Sequence, residues 1–137
     1  MKRILHIDDD TALREVTQIL LADKGYHVQS TGDVEEGARI LQKEDIDLVL
    51  LDVEMPQKHG FVLYREIESR RRVPVLFLTA CPKSFDATSS EFVAMWTTLF
   101  ALGMTDVLYK PFPIESLYDK VESLIGESEA IENGPAR

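Results

Sequence analysis

Ile4-Leu5-His6-Ile7-Asp8-Asp9-Asp10 is an apolar run of strand length that stops abruptly at three carboxylates. The same grammar recurs along the chain. Leu48 to Leu51 stops at Asp52, Val73 to Leu78 stops at Thr79, and Val107 to Tyr109 stops at Lys110, which Pro111 follows. Read as parallel strands, these runs gather carboxylates, a hydroxyl and an ammonium at one edge of a sheet. Open α/β sheets bind their ligands at that edge.

Between the runs lie helical patterns. Residues 11–24 read as a helix with Leu13, Val16, Ile19 and Leu20 on one face, Asp10 or Thr11 as its cap and Gly25 at its end. Residues 26–30 suit a short strand. Asp33 opens a second helix carrying Val34, Ala38 and Leu41. The run from Asp47 to Leu51 is continuous rather than alternating, as in a central strand covered on both faces. Residues 55–60 read as a loop and 61–71 as a helix. Pro113 fits the first turn of a last helix, whose apolar face is Leu117, Val121, Leu124 and Ile125. Strand and helix alternate five times, which predicts a (βα)5 chain of the α/β class. Right-handed crossovers then make the strands parallel and put helices on both faces, a three-layer sandwich. Residues 1–125 form one domain in this reading, and 126–137, without periodicity, a mobile tail or the start of a linker.

With 137 residues and a net charge of −9, the chain is acidic. That charge argues against direct nucleic-acid binding, which needs a basic face. The basic cluster Arg70-Arg71-Arg72 reads as a helix end meeting the helix dipole, or as a phosphate-binding patch. A single cysteine, Cys81, excludes an internal disulfide and suits a reducing cytoplasm. No apolar stretch approaches the roughly 20 residues needed to cross a bilayer, so no membrane partner is expected.

Clustered Asp8, Asp9 and Asp52 would repel one another and raise one another's pKa. A hard divalent cation removes that cost, and Mg²⁺ takes a few carboxylates together with water and phosphate oxygens. Lys110 can neutralise charge on a transferring phosphoryl group, and the Thr79 hydroxyl can donate to it. Asp52 is the natural nucleophile, since carboxylates form acyl phosphates. Each residue alone has an ordinary explanation as a cap or loop residue; their joint placement points to metal-assisted phosphoryl transfer onto an aspartate.

These residues also carry a resemblance. From residue 3 to about 125 the chain resembles a response-regulator receiver domain, the phosphoacceptor module of two-component signalling. The motifs are Ile-Leu-His-Ile-Asp-Asp-Asp, Leu-Leu-Asp-Val-Glu-Met-Pro with Gly60 after it, Leu-Thr-Ala, and Gly103 to Asp106 leading into Lys-Pro-Phe. The resemblance implies a flavodoxin-like, doubly wound five-stranded sheet of order 2-1-3-4-5. It implies Asp52 as phosphoacceptor, Asp9 as a direct Mg²⁺ ligand, Asp8 acting mainly through water, and the Glu54 carbonyl as a further ligand. Thr79 and Lys110 would hold the phosphoryl group. Glu54 and Cys81, two residues after Asp52 and Thr79, would tune its lifetime. A cis Lys110–Pro111 bond is also implied.

Two departures stand out. Receivers usually carry Tyr or Phe three residues before the lysine, where this chain has Val107. A β-branched aliphatic cannot make the aromatic's swing. Strand alternation is expected to put the nearby Tyr109 on the opposite sheet face. The segment from Thr79 to Lys110 is also longer than usual, implying an extended fourth helix region. Its part from Phe92 to Leu102 is nearly all apolar, either a more buried helix or an interface core. Lys83 to Glu91 reads as a lid or a capped helix start. His6 is expected to be a core residue of its strand rather than a ligand, and His59 an exposed or capping residue.

The expected function is a cytoplasmic phosphorelay receiver, phosphorylated on Asp52 with Mg²⁺ by a sensor histidine kinase or histidine phosphotransfer protein. It would catalyse only its own phosphorylation and dephosphorylation. It would switch a homodimer or output-protein surface around residues 92–102 and the last strand and helix. The alternative is a phosphorylation-independent interaction module of the same fold. An aspartyl phosphohydrolase would need a second acid, for which Glu54 has the right offset, and a cap domain, for which the chain is too short. No output segment follows residue 125, so the chain is expected to be a stand-alone regulator or a piece of a longer one.

Overall fold

The computed structural model describes residues 1–53, 73–80 and 104–126. Five strands form one parallel sheet: β1 (Arg3–Ile7), β2 (His27–Thr31), β3 (Leu48–Asp52), β4 (Val75–Thr79) and β5 (Thr105–Tyr109), in the order β2-β1-β3-β4-β5. Its described helices are α1 (Thr11–Asp23), α2 (Val34–Lys43) and the C-terminal α3 (Ile114–Ile125). The architecture is the flavodoxin-like doubly wound α/β fold. The loop, helices and lengthened fourth-helix segment expected within 54–72 and 81–103, and the tail from 127, lie outside the described residues.

Alternation along each strand divides the core in two. Leu5, Ile7, Val49, Leu51, Val75 and Phe77 face one side and pack with Val34 and Leu41 of α2. Ile4, Leu48, Leu50, Leu76, Leu78 and Leu108 face the other and pack with Leu21 of α1 and Leu117 and Val121 of α3. The inner strands β3 and β4 are buried along their whole length, as their unbroken apolar runs require.

Asp10 caps α1 by accepting from the Leu13 N–H at 3.0 Å, and Asp33 caps α2 through Glu35. Gly25 follows α1 at φ 91°, a left-handed conformation that glycine adopts without strain. Within α2, a Cβ on Gly37 would stand 2.6 Å from Ile7 Cδ1, so glycine there lets the helix lie close on β1. Pro113 is the N-cap of α3 in extended conformation rather than a residue of its first turn.

Two further expectations fail. Val16 is 51% exposed and Ile19 68%, while Thr17 and Leu21 are buried. The inward face of α1 is therefore centred on Thr17 and Leu21, with Leu13, Arg14 and Leu20 at its margins. Tyr109 does not oppose Val107: Val107 packs with the α2-side cluster and Leu108 belongs to the other. Alternation thus returns Tyr109 to the Val107 side, where it is half exposed.

The corrected face of α1 predicts that Leu21→Ala costs about 3 kcal/mol in urea unfolding. Ile19→Lys should stay within about 0.5 kcal/mol of wild type. A large loss for Ile19→Lys would restore the face expected from the sequence.

Candidate functional site

The two-residue period that divides the core also builds the site. Asp8 follows Ile7 at the end of β1, Asp52 ends β3, and Lys110 follows Tyr109 at the end of β5. All three share parity with the core residues on the α1 and α3 side, so their side chains leave the sheet in the same sense. Carboxylate oxygens of Asp8, Asp9 and Asp52 lie within 4.8 Å of one another. Asp8 and Asp52 are buried, and Asp9 is exposed. Lys110 Nζ reaches between them, 3.0 Å from Asp8 Oδ2 and 3.6 Å from Asp52 Oδ2.

Asp8 is held on every side. Its Oδ1 accepts from the Asp10 backbone N–H at 2.9 Å. Its carbonyl oxygen accepts from Arg14 Nη1 of α1 at 2.6 Å. The His6 ring stands behind it, with Nε2 3.4 Å from Oδ2. Gly32 leaves room for the Arg14 guanidinium; a Cβ there would stand 2.7 Å from Nη1.

Burial pushes the Asp8 carboxyl up, but the His6 ring, the Asp10 N–H and the Lys110 ammonium outweigh it and hold it well below the usual carboxylate range. Burial pulls Lys110 down, but Asp8 and Asp52 outweigh that and raise it above the ordinary lysine value. Asp8 therefore contributes stability above its unfolded value of about 3.9 and loses it as pH falls through its lowered folded value. Lys110 contributes below about 10.4 and loses it as pH rises through its raised folded value. Across neutral pH the pair is charged on both sides.

Thr79 ends β4 and is fully buried, and its carbonyl accepts from the Lys110 N–H at 2.8 Å. Its parity is opposite to that of Asp52. Val107 lies within β5, partly buried. Glu54 and Cys81 lie outside the described residues. The Lys110–Pro111 bond is cis. An open cleft of about 390 Å³, lined by Asp10, Leu13, Ala80, Lys110, Pro111 and Phe112, leads to the ammonium from solvent.

Sequence reasoning missed the supports of Asp8. His6 was legible by period two, because it must share a face with Asp8. Arg14 was legible only as a polar residue on a helix whose inner face had been placed elsewhere.

The donor set fits a small hard cation. Opposite ligands of octahedral Mg²⁺ stand about 4.2 Å apart, within the spread of the three carboxylates. Two of the three are buried with one ammonium against them, so negative charge remains for an ion to neutralise.

The model of the response regulator receiver domain family matches residues 4–122. A probable transcriptional regulator, ycf27 of Cyanophora paradoxa, is 33% identical over 128 residues, covering 93% of this chain and 50% of that protein. The chain thus spans about half the length of the curated relatives it matches. A CheY-like receiver domain protein from Methanospirillum hungatei superposes with a TM-score of 0.74 at 25% identity, covering 98% of this chain and 99% of that one. The response regulator TrrA of Thermotoga maritima, solved in complex with Mg²⁺ and BeF, gives a TM-score of 0.75 at 29% identity, covering 90% and 99%.

Lys110→Met leaves two buried carboxylates without their ammonium and should cost about 3 kcal/mol at neutral pH. The gap to wild type should narrow as acid protonates Asp8 and close once pH falls below Asp8's lowered wild-type value. A pH-independent gap between the two denaturation curves would show that packing, not charge, explains the loss.

Proposed function

The chain belongs to the response regulator receiver domain family, and we propose that Asp52 accepts a phosphoryl group from a histidine donor. The observation that carries this reading is the Lys110 ammonium set between Asp8 and Asp52, beside three carboxylates grouped tightly enough for one divalent ion. An Asp52 oxygen attacks phosphorus; the P–O bond forms as the P–N bond to the donor imidazole breaks, and the departing imidazole takes up a proton. The Lys110 ammonium lies where it can meet charge on the transferring oxygens. Thr79, at the neighbouring strand end, is the hydroxyl donor.

Asp9 and Asp52 would hold Mg²⁺ with the Glu54 carbonyl, and Asp8 mainly through water. Bound Mg²⁺ would shield the anionic nucleophile from the anionic phosphoryl group. The Thermotoga relative, solved with Mg²⁺ and BeF, supports this choice of ion. Glu54 and Cys81 would tune the lifetime of the acyl phosphate. The domain turns over no separate substrate; it catalyses its own phosphorylation and dephosphorylation.

The partners are a sensor histidine kinase or a histidine phosphotransfer protein, acting in the cytoplasm. No helix among the described residues is long and apolar enough to cross a membrane. The open cleft beside Lys110 would admit a donor to the ammonium end of the site. A second copy or an output protein would be engaged through residues 92–102, which lie outside the described residues, and through β5 and α3. The relative from Cyanophora paradoxa is a probable transcriptional regulator of about twice this length. The net charge of −9 on this chain argues against its own direct contact with DNA.

Incubation with acetyl phosphate and Mg²⁺ should add the mass of one phosphoryl group. Chelation of the metal or Asp52→Asn should abolish the addition. A modification that persists in Asp52→Asn refutes the assignment. Val107, in place of an aromatic, favours a second reading in which the fold signals without phosphorylation. An oligomeric state unchanged by Mg²⁺ with beryllofluoride would support that reading instead.

A further inference from the structure

His6 lies in β1 with no exposed surface, on the face of Ile4 and Asp8. The other buried positions of that strand, Ile4, Leu5 and Ile7, are apolar. Neither ring nitrogen of His6 has a hydrogen-bond partner among the described residues. Its Nε2 stands 3.4 Å from Asp8 Oδ2, beyond ordinary hydrogen-bond distance. The same oxygen is occupied by Lys110 Nζ at 3.0 Å. A buried imidazole left in this state is costlier than an aliphatic side chain of similar size. At rest the ring gives Asp8 Oδ2 only this long contact, on an oxygen that Lys110 already holds more closely.

A role for the ring appears when Lys110 is considered in use. Its ammonium is shared, at 3.0 Å from Asp8 and 3.6 Å from Asp52. A phosphoryl group on Asp52 adds charge and acceptor oxygens on the Asp52 side. An ammonium drawn toward them leaves Asp8 Oδ2, which is buried and cannot recruit bulk water. Oδ1 keeps the Asp10 N–H, but Oδ2 would be bare. Among the described residues the other donor facing it is His6 Nε2, about 0.2 Å outside good hydrogen-bond range.

We propose that His6 is a positioning residue for phosphoryl transfer: its Nε2–H takes over Asp8 Oδ2 when the Lys110 ammonium moves to the phosphoryl group on Asp52. The exchange keeps Asp8 in place while freeing the lysine, and it needs no titration of the ring. This proposal rests on the reading of Asp52 as phosphoacceptor.

The test uses the full chain with Mg²⁺ and beryllofluoride, with loading followed by the fluorine spectrum. On loading, the His6 Nε2 resonance should move to that of a hydrogen-bonded N–H, while Nδ1 stays. His6→Leu should weaken beryllofluoride binding about tenfold, and His6→Gln, which restores a donor, should recover most of it. Thermal melts without beryllofluoride separate this effect from folding, and the wild-type spectra decide the matter should His6→Leu not fold. A wild type that loads with its Nε2 resonance unmoved, or a His6→Leu that loads as wild type does, overturns the role of His6 alone. A wild type that does not load overturns the phosphoacceptor reading and this proposal with it.

Discussion

The contact between Lys110 Nζ and Asp8 Oδ2 ties the end of β5 to the end of β1 across the two intervening strands. It can form only because the strands are parallel and in register, so that their carboxyl ends meet at one edge. It also requires that Asp8, Asp52 and Lys110 have the same parity, since a slip of one residue would send one of them through the sheet. The two core clusters fix that parity. Site and fold therefore depend on the same alternation, and the apolar runs that stabilise the sheet also aim its functional groups.

Much of this was legible in the sequence because the inner strands are extreme. Runs such as Leu48 to Leu51 and Val75 to Leu78 are apolar at every position, which a buried parallel strand requires and a solvated one forbids. A polar residue that ends such a run is then conspicuous, and Asp8, Asp52, Thr79 and Lys110 all stood out that way. Asp10 and Asp33 were legible as caps because short acceptors before an apolar period have a defined partner.

The inner face of α1 was not legible, for a reason connected with function. A helix is read by finding its apolar stripe, and Leu13, Val16, Ile19 and Leu20 supply one. The helix is turned away from that stripe, with Val16 and Ile19 in solvent. Residues 14, 17 and 21 lie around a neighbouring arc, at about 100° per residue. Of these only Leu21 is apolar. Arg14 turns toward the sheet because its guanidinium holds the Asp8 carbonyl, and Thr17 is buried beside it on the wheel. Local pattern and global structure disagree most where an element serves a site, and α1 serves this one. His6 is the same kind of exception in a strand: the apolar pattern reads it as core, which it is, and says nothing of the carboxylate it faces.

Parity also separates the groups that hold the charge from the groups at the outer edge of the sheet. Asp8, Asp52 and Lys110 share the α1 and α3 side. Thr79 has the opposite parity, with Val75 and Phe77 on the α2 side. Its lateral neighbour in the sheet is Tyr109, paired with it in register, and Val107 pairs with Phe77 one step earlier. Val107 is a stiff β-branched residue packed among apolar neighbours. Tyr109 is half exposed on the edge strand. On this face the β4 end thus has a packed aliphatic inward and a half-exposed phenol beside it. Among the described residues, the lateral neighbour of Thr79 on this edge is Tyr109 and not the position three residues before the lysine.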